Sequence, residues 1–94
     1  MTKDNTNPKT RKTHATLRSI GIDLGDRFSE LCVLDGKGAV ITQVRLRTTQ
    51  AVVQEYFSAQ APARVALETG THSGWMSRLI AACGHEVVVA NARE

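Results

Sequence analysis

The sequence predicts a small α/β domain built on a mixed five-stranded sheet ordered 3-2-1-4-5, with helices packed against it. Two observations predict it. Apolar residues recur with a period of two in the first half of the chain and at one-turn spacing in two later segments. Short turn signals join the first three strand-like segments, whereas helical stretches separate the later ones. The first pattern is an antiparallel meander. The second is a right-handed crossover, which places the fourth strand parallel to the first and beside it, with the fifth outside the fourth.

Taken in order, Leu17 to Leu24 carries Ile20, Ile22 and Leu24 on one parity and reads as a half-buried strand that Gly25-Asp26-Arg27 breaks. Ser29 to Leu34 resumes with Leu31 and Val33, and Asp35-Gly36-Lys37-Gly38 is a hairpin signal. Ala39 to Leu46 returns with Val40, Ile41, Val44 and Leu46. Thr48 or Thr49 then caps a helix whose Val52, Val53, Tyr56 and Phe57 lie one turn apart, with Pro62 beyond its end. Arg64 to Glu68, bounded by Pro62 and Gly70, fits a buried strand. From Ser73 a second helix carries Trp75, Met76, Leu79, Ile80 and Cys83 on one stripe and ends at Gly84. Val87-Val88-Val89 makes the fifth strand.

Ninety-four residues with 41% hydrophobic content bound the chain to one domain with one modest core. The longest apolar run, Val87 to Ala90, is far too short to cross a bilayer, so no membrane partner is expected. Net charge is +3, but its distribution matters more than its size. Lys3, Lys9, Arg11, Lys12 and Arg18 against Asp4 put +4 on residues 1–19 and leave −1 on residues 20–94. Residues 1–17 are therefore expected to be a flexible basic arm, either merely solvated or in contact with nucleic-acid phosphates, and residues 18–94 the folded unit. The arm has no apolar segment of the secretory kind, so a cytoplasmic location is expected. Cys32 and Cys83 stand far apart in apolar surroundings and are expected to be reduced thiols packed in the core. His14 and His85 have no partner legible in the sequence.

Two acids stand out. Asp is depleted within strands, yet Asp23 lies between Ile22 and Leu24, and Glu68 closes the apolar run Val65-Ala66-Leu67. In the expected topology both come from neighbouring parallel strands and project at one end of the sheet. They would repel each other unless a cation lay between them. Mg²⁺ suits the role, as a hard ion held by one or two carboxylates with waters and phosphate oxygens. Two such ions can clamp the attacking and leaving oxygens of a phosphodiester. The plain alternatives are a turn acid bonded to the backbone near Gly25 and a loop acid near the second helix's N-terminus. Thr69, Thr71, His72 and Ser73 read first as a capped turn, Trp75 as core, and Arg45 and Arg47 as strand-end residues or the lining of a nucleic-acid path.

Ile20-Gly21-Ile22-Asp23-Leu24-Gly25, Cys32-Val33-Leu34-Asp35, Val65-Ala66-Leu67-Glu68-Thr69-Gly70-Thr71-His72-Ser73, Gly84-His85-Glu86-Val87 and Val89-Ala90-Asn91, in that order, resemble the DEDD transposases of the insertion-sequence one-ten family, related to the Piv invertase. The resemblance spans about residues 18–94. It implies a RuvC-like, ribonuclease H-like fold in which Asp23 and Glu68 match the family's first Asp and its Glu and bind Mg²⁺ or Mn²⁺. It also implies DNA cleavage and strand exchange at an insertion element, with a structured guide RNA as partner in some members. The family's last two aspartates and its serine-bearing second domain have no counterpart here. After Glu68 only Glu86 and Glu94 remain, and Glu86 is expected at the wrong end of the sheet. The chain is therefore expected to be a C-terminally truncated N-terminal fragment, inactive alone, with weak metal binding.

Two other functions compete. A non-catalytic fragment would bind nucleic acid, self-associate, or pair with a full-length transposase and interfere with it. A fragment of an actin-like ATPase or sugar kinase would also open with a strand bearing Asp-x-Gly. Asp26-Arg27-Phe28, however, puts a carboxylate and bulk where phosphate would have to approach.

Overall fold

The computed structural model describes residues 17–90. The elements follow as β1 (Arg18–Asp23), β2 (Phe28–Leu34), β3 (Val40–Arg47), α1 (Gln50–Ser58), β4 (Ala63–Glu68), α2 (Ser73–Ala82) and β5 (Glu86–Ala90). They build a small α/β unit around one mixed sheet in the order β3-β2-β1-β4-β5. β2 pairs antiparallel with both β1 and β3, whereas β4 runs parallel to both β1 and β5. The strand order is the expected one. The basic arm expected over residues 1–17 lies, but for Leu17, outside the described residues, as do His14, Asn91 and Glu94.

Alternation decides which face is covered. Ile20 and Ile22 of β1, Leu31 and Val33 of β2, and Ala63, Val65 and Leu67 of β4 are buried, and Val53, Phe57, Met76 and Ile80 of the two helices join them in one cluster. Both helices therefore pack on the same face of the sheet. Residues of the opposite parity, among them Gly21, Asp23, Glu30, Ala66 and Glu68, are exposed on an open face. Asp23 is the last residue of β1 and not an interior one as the apolar pattern suggested, because the chain turns at Gly25. A Cβ at Gly25 would collide with the Phe28 carbonyl oxygen.

Helix ends follow local chemistry. Thr49 caps α1 by accepting from the Val52 amide at 3.3 Å. Gly84, at φ +100°, follows the last turn of α2 in the left-handed conformation that glycine adopts at least cost. His85 is buried although nothing in the sequence suggested a partner. Its Nδ1 accepts from the Ala63 amide at 3.1 Å, and its Nε2 donates to the Phe57 carbonyl at 2.8 Å. One imidazole thus satisfies the end of α1 and the start of β4 together.

A buried hydroxyl ring closes the other end. The Thr48 hydroxyl donates to the Gly25 carbonyl and the Ser29 hydroxyl donates to Thr48 Oγ1, each at 2.8 Å, while Ser29 Oγ accepts from the Gly25 amide at 3.5 Å. The Thr48 amide also donates to the Arg27 carbonyl at 2.8 Å. Thr48→Val keeps the shape but strands the Gly25 carbonyl and the Ser29 hydroxyl. It should cost about 1–3 kcal/mol, read as a lower urea midpoint with an unchanged slope.

In the β2–β3 turn, Asp35 Oδ1 accepts from the amides of Lys37 at 2.8 Å and Ala39 at 2.9 Å. These bonds, Ala39's first, hold its carboxyl below the usual value. Because folding lowers this pKa, the stabilisation is complete above the unfolded value of about 3.9 and is lost as pH falls through the folded one. Asp35→Ala should lower the thermal midpoint most near neutral pH, and its gap from the parent should narrow as the pH falls below about 4. A gap independent of pH would assign the effect to something other than the carboxylate.

Candidate metal centre on the open face

Two rows of residues cross the open face. Cross-strand partners share a face, so the register places Gln43, Cys32, Gly21, Ala66 and Val88 in one row across all five strands. In the next row Arg45 stands opposite Glu30, and Glu30 opposite Asp23. One step beyond the Ile22–Leu67 pair, Asp23 and Glu68 end their parallel strands side by side, and Ala90 completes the row. Neighbouring strands lie about 4.8 Å apart, so the two acids expected to meet do end together, on one face.

Both acids line one broad groove of about 930 Å³, together with Glu30, Asp26, His72 and Cys32. Small residues at Gly21 and Ala66 form its floor, which leaves room above the sheet. Among the described residues neither Asp23 nor Glu68 has an ion pair or a side-chain hydrogen bond. Among the described residues Asp23 thus makes no side-chain bond to the backbone near Gly25, while Glu68 closes β4 four residues before the N-cap of α2, so a role beside that helix's N-terminus stays open to it. Glu30 is committed elsewhere, to Arg45 at 3.2 Å. Glu86 opens β5 at the far end of the sheet, 3.3 Å from Arg64, which is the end expected for it.

The loops that follow the two carboxylates are tied together. His72, at the N-cap of α2, faces Asp26 across 3.4 Å through Nε2 and accepts from the Trp75 indole at its Nδ1 at 3.0 Å. With Nδ1 accepting, the neutral ring carries its proton on Nε2, toward the carboxylate. Trp75, expected as plain core, is half-buried and orients this histidine. Ser73 Oγ closes a turn on Gly70, and the Thr69 amide donates to the Ala90 carbonyl at 2.9 Å. The segment after Glu68 is therefore a pinned turn, but not the capped one expected, since His72 at the N-cap of α2 makes no side-chain capping bond.

Cys32 corrects another expectation. It lies on the open face opposite Gly21 and lines the groove, because its parity in β2 is that of Glu30 and not of Leu31. Cys83 does pack against the core, with its sulfur 3.5 Å from Ser58 Oγ. No group of three or more His, Cys, Asp or Glu among the described residues is arranged to hold a metal ion. The donor set at this end is a pair of carboxylates, which suits a hard cation that keeps most of its water.

No family model matches the sequence, and no curated protein matches it. Among solved structures the chain is similar to one described as a structural study of the Aquifex aeolicus PPX-GPPA enzyme, with 15% identity and a TM-score of 0.49. The likeness covers 81% of this chain and 36% of that one, so this chain spans about a third of that protein's length. A likeness at that level carries no argument about activity.

Proposed function

We propose that the chain is catalytic-domain sequence of a DNA transposase or recombinase with a ribonuclease H-like sheet, in which Asp23 and Glu68 hold a divalent cation. One observation carries this reading. Among the described residues, two acids without cationic partners end adjacent parallel strands on the open face, in the groove whose floor is kept low by Gly21 and Ala66. Structural carboxylates are normally paired or bonded to backbone, and clustered acids left without either mark functional sites. Mg²⁺ or Mn²⁺, when bound, would supply the positive charge that lets a phosphodiester approach and its leaving oxygen depart. Asp23 and Glu68 hold that charge, while the Asp26–His72–Trp75 contacts keep the flanking turns from drifting. DNA is the substrate in this reading, with a structured guide RNA and a second transposase chain as further partners, in the cytoplasm. Among the described residues no helix is long and apolar enough to cross a membrane.

A second, non-catalytic reading is favoured by the lack of a third ligand among the described residues. In it the domain binds nucleic acid, or pairs with a full-length transposase and interferes with it. The two readings share a metal prediction. Two carboxylates alone hold Mg²⁺ in the millimolar range, so calorimetry should give weak binding, and this chain alone should show no strand transfer. Mg²⁺-dependent cleavage abolished by Asp23→Asn would exclude the non-catalytic reading. No response to Mg²⁺ or Mn²⁺ would remove the metal site, and saturable stabilisation by ATP would point to a phosphotransferase instead.

Charge repulsion gives an independent check. Asp23 is flanked by Glu30 and Glu68, so Asp23→Asn removes a like-charge contact in metal-free buffer. Its thermal midpoint should equal or exceed the parent's, and the gain should shrink as salt is added. Outright unfolding of this variant would make Asp23 a structural residue.

A further inference from the structure

The open face carries a second chemistry beside the acid row. Phe28 opens β2 directly opposite Arg47, one row outward from Glu30 and Arg45, at the same end of the sheet as Asp23 and Glu68. Phe28 is 38% exposed and stands outside the core cluster. Arg45 lies over it with its guanidinium carbon 4.5 Å from the ring centroid, and Arg47 at 5.4 Å. Arg45 shares its charge with Glu30, but no acid among the described residues pairs with Arg47. The described residues thus present an exposed aromatic ring, decorated by two cations, on the strand next to that of Asp23 and one row outward from it, a separation of about 8 Å.

Such a cluster has a definite ligand chemistry. Aromatic rings and guanidinium planes stack with unpaired bases, and guanidinium groups grip phosphate oxygens in pairs. The acid row repels a polyanion, so a strand drawn toward Asp23 and Glu68 needs fixed positive charge beside them. Bases inside a duplex have no free faces to offer. We propose that Phe28, Arg45 and Arg47 form a docking platform for single-stranded nucleic acid, with one base stacked at Phe28 and the adjoining phosphates held by Arg47 and Arg45. The platform deepens the recombinase reading by specifying the form in which a strand enters the groove, and it rests on that reading only for where the strand leads.

The test is fluorescence anisotropy of the full chain with a labelled 12-nucleotide oligothymidylate in EDTA, so that no metal contributes. Phe28→Leu should weaken binding at least about fivefold, because stacking on one aromatic is worth that much or more. Arg45→Gln with Arg47→Gln should weaken it at least about tenfold and flatten the dependence of log affinity on log salt by about one. Phe28→Trp should bind at least as well as the parent, and the oligonucleotide should quench its added emission; a merely structural role for the ring would produce no such quenching. The same sequence as a duplex should bind more weakly, and a uridylate oligomer of equal length separates an RNA from a DNA preference. Parent-like affinity in both the Leu variant and the double Gln variant, each with a parent-like thermal midpoint, would overturn the platform and leave binding to the basic residues 1–17. Asp23→Asn with Glu68→Gln should bind the oligomer in EDTA as tightly as the parent or more tightly. Platform binding without any Mg²⁺ response would overturn the metal pair alone, which keeps the two failures apart.

Discussion

The parallel pairing of β1 with β4 is the constraint on which the rest depends. Its register, Ile20 with Val65 and Ile22 with Leu67, is set by apolar side chains that must lie beneath the two helices. A slip of one residue would turn Leu67 to water and drive Glu68 into the core, because strand parity is two. Burying an unpaired carboxylate costs several kcal/mol, and exposing a leucine about 2 more. Core packing therefore holds Asp23 and Glu68 side by side even though the two acids repel each other. The geometry of the site is inherited from hydrophobic alternation, with no contact between the acids needed to maintain it.

The same division of labour extends to the loops. β1 and β4 both end at their acids, so the turns beyond them decide whether the groove stays open. The Thr48–Ser29–Gly25 ring fixes the β1–β2 turn to the β3–α1 junction, and the His72–Asp26 contact fixes it to the β4–α2 turn. Thr69 in turn is bonded to the end of β5. Each tie is a polar bond between segments far apart in the chain, and together they fix the turns around the hollow at this end of the sheet.

Much of this was legible in the sequence, and the reason is that its signals are local. Alternation in Leu17 to Leu24 and the short apolar run of Arg64 to Glu68 between Pro62 and Gly70, together with the two helical stripes, suffice to order the strands and to place both acids at one end of the sheet. What escaped depends on partners far apart in the chain. His85 bonds to Phe57 and Ala63, and His72 meets Asp26, at separations that periodicity cannot report. Cys32 was misplaced for a different reason. Its neighbours Leu31 and Val33 are both core residues, so local composition pointed inward while strand parity pointed out. The partnership of Phe28 with Arg47 was hidden similarly, since it arises from hairpin register and not from adjacency.

That none of the described elements covers the centre of this face follows from what it would gain by being covered. Gly21, Ala66, Cys32 and Gln43 offer little apolar area, so a helix laid there would bury few carbons while desolvating three carboxylates. On the opposite face the balance is reversed: Ile20, Ile22, Leu31, Val65 and Leu67 supply the area that orders α1 and α2. Among the described residues, the exposed large apolar ones apart from Phe28 lie on the edge strands, at Val40 and Ile41 of β3 and Val88 and Val89 of β5. A central acid row with small neighbours favours a ligand that brings positive charge and keeps its water, and disfavours a protein surface that would strip it. In the proposed reading a hydrated cation at Asp23 and Glu68 would meet that condition, and Arg45 and Arg47 at the same end of the face would supply the charge that lets an anionic strand follow it.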